Sequence, residues 1–166
     1  MKKEIAIVAL GSNLGDSQKI VLDAISQVQQ LSDEPILKSS LWQTSPVDCP
    51  PDSPKFVNAV VAFAPKKSET PESLLKALQE IEKQFGRTPK KTPNEPRPLD
   101  LDLIAFGQER RSTKSLTLPH PRAHLRRFVL EPLNEIATDF VLPGQGRSVS
   151  EMLAGLKSDE TVARLS

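Results

Sequence analysis

Apolar positions along the chain follow two periods, and their alternation lays out the elements. Residues 5–10 (IAIVAL) are an unbroken apolar run of strand length. Gly11-Ser12-Asn13 reads as a turn, after which Asp16 or Ser17 can cap a helix. In that helix Val21, Ala24, Ile25, Val28 and Leu31 recur at helical spacing. Residues 36–43 (ILKSSLWQ) and 56–63 (FVNAVVAF) read as two more strands, joined by a proline-rich stretch over 44–55. Thr70 can cap a second helix with Pro71 at its first position, and Gly86 stops it. Its apolar stripe is Leu74, Leu75, Leu78 and Ile81. A second proline-rich loop, 87–98, leads into the strand-like run that ends in DLDLIAF. A short hairpin around 108–118, a helix entered near Arg126 and a weaker helix over about 148–157 complete the chain.

This β-α-β-β-α-β order predicts an α+β fold of ferredoxin-like type. It implies a four-stranded antiparallel sheet with helices on one face, plus an extra hairpin and C-terminal helices. The other face is then open for a site, although a fold alone does not name its chemistry. A length of 166 residues suits a single domain spanning 1–166. With 22 basic and 21 acidic residues the net charge is +1, which argues against nucleic acid or an anionic membrane as partner. No apolar run approaches the ~18 residues of a membrane span. The start, MKKEIAIVALGSN, reads as a strand and not as a signal peptide, because Glu4 interrupts the apolar stretch. The single cysteine, Cys49, allows no internal disulfide and fits a reducing cytoplasm. Of the 15 prolines, eight lie in 46–54 and 89–98, which marks two stiff, irregular loops.

The chemistry gathers around RPLDLDLIAF, residues 97–106. Along a strand Asp100 and Asp102 share one face and Leu99, Leu101 and Leu103 the other, with the aspartate Cα atoms about 7 Å apart. Two carboxylates so close call for a positive charge between them, such as Mg²⁺ held by one or two carboxylates and substrate phosphates. A bare DxD is otherwise the wet face of an edge strand. Its neighbours weigh in favour of chemistry. Arg87, Lys90, Lys91 and Arg97 line the loop ahead of it, and His120, Arg122, His124, Arg126 and Arg127 form a second cationic cluster. Arginine clamps phosphate bidentately and lysine acts as a point charge. Gln79 and Glu82, three apart, share a helix face, although either alone reads as ordinary surface. Two cationic clusters about a carboxylate pair point to phosphoryl transfer. GSNLG lacks the Lys-Ser/Thr ending of a phosphate-binding Walker loop. HExxH, a cysteine cluster and a Ser-His-Asp signature are all missing from the sequence. Phe56 and Phe128 flank the polar loops. Core packing is the usual role of such residues, yet aromatic plates also hold flat heterocycles. Asn58 shares the Phe56 face, and its amide can read a ring edge.

The series "GSNLGD", "FVNAV", "IEKQFGR", "PRPLDLDLIAFG" and "LTLPHPRAHLRRFVLEPL" resembles the 6-hydroxymethyl-7,8-dihydropterin pyrophosphokinase family, in order and spacing, over nearly the whole chain. The resemblance implies transfer of pyrophosphate from ATP to a pterin hydroxymethyl group, with release of AMP, in folate biosynthesis. By position, Asp100 and Asp102 resemble the ligands of two Mg²⁺ ions, with Arg87 and Arg97 beside them in catalysis. Phe56 and Phe128 resemble the plates about the pterin, and Asn58 with the backbone near Thr44, Ser45 and Val47 its edge readers. Gln79, Glu82, Arg87, Arg97, Leu103, Thr117, His120 and Arg126 resemble the ATP-contacting set, to which the loop cation Lys90 is added. No residue stands out as a general base. The substrates are small molecules, with no nucleic-acid or membrane partner, and a monomer is expected. The chain departs from the family in three places. Phe56 stands where tyrosine is common, the loop SPVDCPPDSPK is unusual, and the second loop has Pro89 and Asn94 near positions where other members carry an additional arginine and a tryptophan. The rival readings are a metal-dependent nucleotidyl transferase, disfavoured by the near-neutral charge, and a non-catalytic ligand-binding module, which would need no carboxylate pair between cationic clusters.

Overall fold

The computed structural model describes residues 4–44, 55–86, 98–157 and 162–165. Strand β1 (Ala6–Ser12) is followed by helix α1 (Ser17–Gln29), short strands β2 (Leu37–Lys38) and β3 (Trp42–Thr44), strand β4 (Phe56–Phe63) and helix α2 (Pro71–Gln84). Strand β5 (Asp100–Phe106) comes next, then a hairpin of β6 (Arg111–Ser112) and β7 (Thr117–Leu118). A 3-10 turn at Ala123–Leu125 opens into helix α3 (Arg127–Ile136), and helix α4 (Val149–Ala154) and strand β8 (Val162–Arg164) follow. The main sheet runs β5-β1-β4-β3-β8 with every pair antiparallel, and β2 joins β4 along the edge that β3 also uses.

Local chemistry explains most boundaries. The Asp16 carboxylate accepts the Lys19 N–H at the start of α1. At the start of α2, Thr70 and Ser73 cap one another reciprocally, and Pro71 fills the first turn, where no N–H partner exists. Gly86 ends that segment at φ +86°, a conformation that costs glycine little. The antiparallel sheet and both main helices match the sequence pattern, with three differences. Gly11 and Ser12 do not turn: they extend β1 and pair with Asn58 and Val57. The expected strand over 36–43 is broken, because the Ser39 hydroxyl intrudes on the ladder and accepts the Val60 N–H at 2.9 Å. Ser40 turns out of the sheet toward Glu135, whose carboxylate takes its amide at 2.9 Å and also its hydroxyl. The sheet also has more than four strands, since β8 pairs with β3 through three residues that carry no alternating pattern.

The helices cover both faces, and this corrects the expectation of helices on one face with the other left open, because α3 and α4 carry an apolar stripe of their own that packs on the sheet. On one, α1 and α2 bury Val21, Ala24, Val28, Leu74 and Leu78 against Val8, Leu10, Val61 and Leu101. On the other, α3 and α4 bury Val129, Leu130, Leu133 and Met152 against Ile7, Val60 and Ile104. At the end of that second face Asp100 and Asp102 are half-buried. Among the described residues, no helix is long and apolar enough to cross a membrane. The loop expectations for 45–54 and 87–97 lie outside the described residues. Leu130 is fully buried at the centre of the second layer. Leu130→Ala should therefore lower the unfolding free energy by about 2–5 kcal/mol, the range for a buried leucine whose cavity does not collapse. Urea denaturation reads this directly, and a loss under about 1 kcal/mol would mean that α3 does not pack on the sheet.

Candidate active site

Asp100 and Asp102 open β5 and alternate with Leu99, Leu101 and Leu103, which belong to the first core layer. Both aspartates are half-buried and face the side that α3 partly covers. Strand register then sets what stands beside them. Asp100 lies opposite Gly11, Gly11 opposite Asn58, and Asn58 opposite Trp42. One row along the strands, Asp102 lies opposite Ala9 and Ala9 opposite Val60. Residues opposite one another in a ladder share a face. A carboxylate edge and an amide-and-aromatic edge therefore flank a floor of glycine and alanine.

The glycine matters to that floor. A Cβ at Gly11 would stand 3.1 Å from Asn58 Nδ2 and 3.8 Å from Phe56 Cδ1. Any larger residue would push into the space beside Asn58. Asn58 itself is 5% exposed, and the Thr44 hydroxyl donates to its Oδ1 at 2.6 Å. That bond turns Nδ2 toward Gly11 and presents a donor to the floor. Beyond Asn58, the Trp42 indole N–H donates to Glu135 Oε1 at 3.0 Å, which ties this edge to α3. Burial pushes the Glu135 pKa up, but the Ser40 and Trp42 donors and the nearby Arg164 outweigh it, so the net shift is downward.

The cationic cluster arrives from the other side of β5. The His120 amide donates to the Ile104 carbonyl at 2.8 Å, which docks the segment after β7 alongside the strand. His120 Nδ1 accepts the Arg122 amide at 3.2 Å, so a neutral ring carries its proton on Nε2. Burial, then the Arg126 and Arg122 charges, push the imidazole pKa from 6.5 down to about 4, while Asp100 pulls it the other way. Arg126 sits 5.4 Å above the Phe128 ring, a cation–π distance. Asp100 of β5 is thus drawn together with His120, Arg122, Arg126 and Phe128 of the single segment that leads into α3.

Other expected residues fall elsewhere. Leu103 places its side chain in the first core layer, away from the carboxylate face. Thr117 is exposed on β7, and Gln79 is exposed on α2. Gln79 and Glu82 do not present one common surface. Glu82 is 9% exposed, and its Oε2 accepts the Leu101 amide at 2.7 Å. Its burial could have been read from spacing, since it follows Leu78 by four residues. Ser45, Val47, Arg87, Lys90 and Arg97 lie outside the described residues. Among the described residues, no group of three or more His, Cys, Asp or Glu side chains is placed to hold a metal. A lone carboxylate pair nevertheless suits Mg²⁺, which takes one or two carboxylates and completes its shell with phosphate and water.

Comparison with known proteins identifies the family. The sequence profile of the 7,8-dihydro-6-hydroxymethylpterin-pyrophosphokinase (HPPK) family matches residues 7–138. The chain is 40% identical over 133 residues to the 2-amino-4-hydroxy-6-hydroxymethyldihydropteridine pyrophosphokinase of Bacillus subtilis, covering 80% of this chain and 77% of that one. It is 38% identical over 148 residues to the Pseudomonas aeruginosa enzyme of the same name, covering 89% and 88%. It is also 40% identical to the folic acid synthesis protein fol1 of Pneumocystis carinii, where it covers 89% of this chain but spans only 19% of that longer protein. In fold it is similar to a Plasmodium falciparum HPPK-DHPS crystal structure with pteroate, at a TM-score of 0.68 and 13% identity, over 92% of this chain and 43% of that one. With the profile matched from β1 to beyond α3, the chain belongs to the HPPK family.

Proposed function

We propose that this chain transfers the pyrophosphoryl group of ATP to the hydroxymethyl group of 6-hydroxymethyl-7,8-dihydropterin, giving the pterin diphosphate and AMP in folate biosynthesis. The observation that carries this reading is the row Asp100–Gly11–Asn58: a carboxylate for the phosphate side and an oriented amide for the ring side, across a floor without side chains. In this reading Phe56 and Phe128 sandwich the pterin, and Asn58, with Thr44 and the backbone at Ser45 and Val47, reads its edge. Gln79, Thr117, His120 and Arg126, with the loop cations Arg87, Lys90 and Arg97, take the nucleotide. Asp100 and Asp102 would hold two Mg²⁺ ions, which would supply positive charge against the phosphate oxygens. With His120 Nδ1 accepting the Arg122 amide, the Nε2 proton is the one the ring can donate to a phosphate oxygen. Arg126 and the loop arginines stabilise charge at the transferring phosphorus, and the floor aims the hydroxyl in line with it. No side chain need act as general base. We read residues 1–166 as one such domain, with a ferredoxin-like core of β1-α1-β3-β4-α2-β5, acting as a monomer in the cytoplasm.

Incubation with Mg-ATP should release AMP only when the pterin alcohol is present, and absence of AMP would leave a binding module. Asp102→Asn should lower turnover at least about 10²-fold, the scale seen when an electrostatic stabiliser of a transition state is removed. Near-normal turnover in a folded variant would remove the carboxylate pair from the mechanism. Phe56→Ala and Phe128→Ala should each weaken pterin binding by roughly 1–3 kcal/mol, as for a base stacked on an aromatic ring. Calorimetry should find ATP binding changed far less, and unchanged pterin affinity in both would exclude the sandwich.

The His120 environment can be tested without substrate. Its imidazole should titrate near pH 4 in the folded protein, against 6.5 for the free group. Between those values the unfolded chain binds more protons, so the His120 contribution makes stability rise with pH there and decline on acidification through that window. Arg126→Gln should move the midpoint upward, since the Arg126 charge is the largest cause after burial. A wild-type midpoint near 6.5 by proton NMR would mean that the cluster does not assemble.

A further inference from the structure

We propose that Glu82 is a positioning residue for the carboxylate pair, acting through the backbone of β5 and not by contact with the nucleotide; this rests on the assignment of Asp100 and Asp102 as the metal-holding pair. Strand β5 forms one end of the main sheet, where β1 is its neighbour in the strand order. In an antiparallel ladder every second residue turns its N–H away from the partner strand. On an edge such a group needs another acceptor, above all when a helix covers it. Leu101 is the residue in question, and it stands between Asp100 and Asp102. Its amide donates to Glu82 Oε2 at 2.7 Å, in the short range of hydrogen bonds to an ionised acceptor.

The helix leaves Glu82 little freedom to point elsewhere. Leu74, Leu78 and Ile81 are buried in the first core layer and fix the rotation of α2 about its axis. Glu82 lies four residues beyond Leu78 on that stripe and is 9% exposed. A leucine there would extend the stripe in the ordinary way. A carboxylate is costly to bury unless hydrogen bonds satisfy it, and the Leu101 amide supplies one. Leu101 is then held from two directions: its side chain packs in the core, and its amide is tied to α2. That amide belongs to the peptide group joining Asp100 to Leu101. Loosening it would let the strand edge rotate and swing both neighbouring carboxylates, which alternate about it. The bond therefore sets the separation and aim of the pair before any ligand arrives.

Three variants separate this role from its alternatives. Glu82→Gln keeps an acceptor of the same reach, Glu82→Asp keeps the charge but shortens it, and Glu82→Leu removes both. The readouts are Mn²⁺ binding, followed by electron paramagnetic resonance with a non-hydrolysable ATP analogue present, and hydrogen exchange at the Leu101 amide in the free protein. Glu82→Gln should stay within about threefold of wild type in Mn²⁺ affinity, since a neutral acceptor gives a bond roughly half as strong. Glu82→Asp and Glu82→Leu should lose about 10–100-fold, the scale for removing an outer partner of a metal ligand. Both should also exchange the Leu101 amide faster, while affinity for the pterin alcohol stays unchanged. The proposal is overturned if Glu82→Asp binds Mn²⁺ like wild type while Glu82→Gln does not, because charge alone would then be acting. It is equally overturned if Glu82→Leu folds and keeps wild-type Mn²⁺ affinity. Should Glu82→Leu not fold, the contrast between the Gln and Asp variants decides. Asp102→Asn serves as the control: if it too leaves Mn²⁺ binding intact, the metal assignment of the pair is what fails.

Discussion

Strand β1 is buried along all seven of its residues, bonded to β4 on one side and β5 on the other. A central strand with no wet face must be covered by helices above and below, or its apolar side chains meet water. Helices α1 and α2 supply that cover on one face, and α3 and α4 on the other. The candidate site lies at the end of the second face, beside the half-buried Asp100 and Asp102. Its floor is the last turnless stretch of β1, where Ala9 and Gly11 present almost nothing above the backbone. A strand buried on both sides can be small at one end because the core is already filled by Ile7, Val8 and Leu10.

Around that floor the polar groups are held by bonds that do not depend on a ligand. Thr44 orients Asn58, Glu82 ties down the strand between the two aspartates, and the Ile104 carbonyl anchors His120. Each bond uses a group that the sheet or a neighbouring helix had left over. Such preorganisation is what electrostatic catalysis needs, since groups that must reorient during the reaction give up part of their effect. The Glu135 clamp extends the same logic to the rim: its bonds to Ser40 and Trp42 join the broken β2–β3 edge to α3, and Arg164 brings β8 into the same cluster.

Much of this was legible in the order of residues. Val21, Ala24, Ile25 and Val28 marked α1, and Thr70-Pro71 with Leu74 and Leu78 marked α2, because a single helix face or cap is a local property of spacing. The alternation of Asp100 and Asp102 with leucines placed both carboxylates on one face for the same reason, and Asn58 with Phe56 likewise. The motifs from GSNLGD to LRRFVLEPL carried the family, and the matched profile agrees with them.

Tertiary structure decided what depends on a partner strand or a facing layer. Gly11 looked like part of a turn, but pairing on both sides keeps it extended, and only the neighbouring Asn58 and Phe56 make its missing side chain matter. The 36–43 run has a strand's composition, yet the Ser39 hydroxyl competes with the backbone for the Val60 amide and splits it. Strand β8 has no pattern of its own and exists through β3. Glu82 shows the division most sharply. Its spacing from Leu78 is fixed by the sequence, yet by residue type it reads there as helix surface beside Gln79. That the apolar stripe of α2 ends against the outer edge of β5, beside the amide of the one residue between the two aspartates, is set only when helix and strand meet in space.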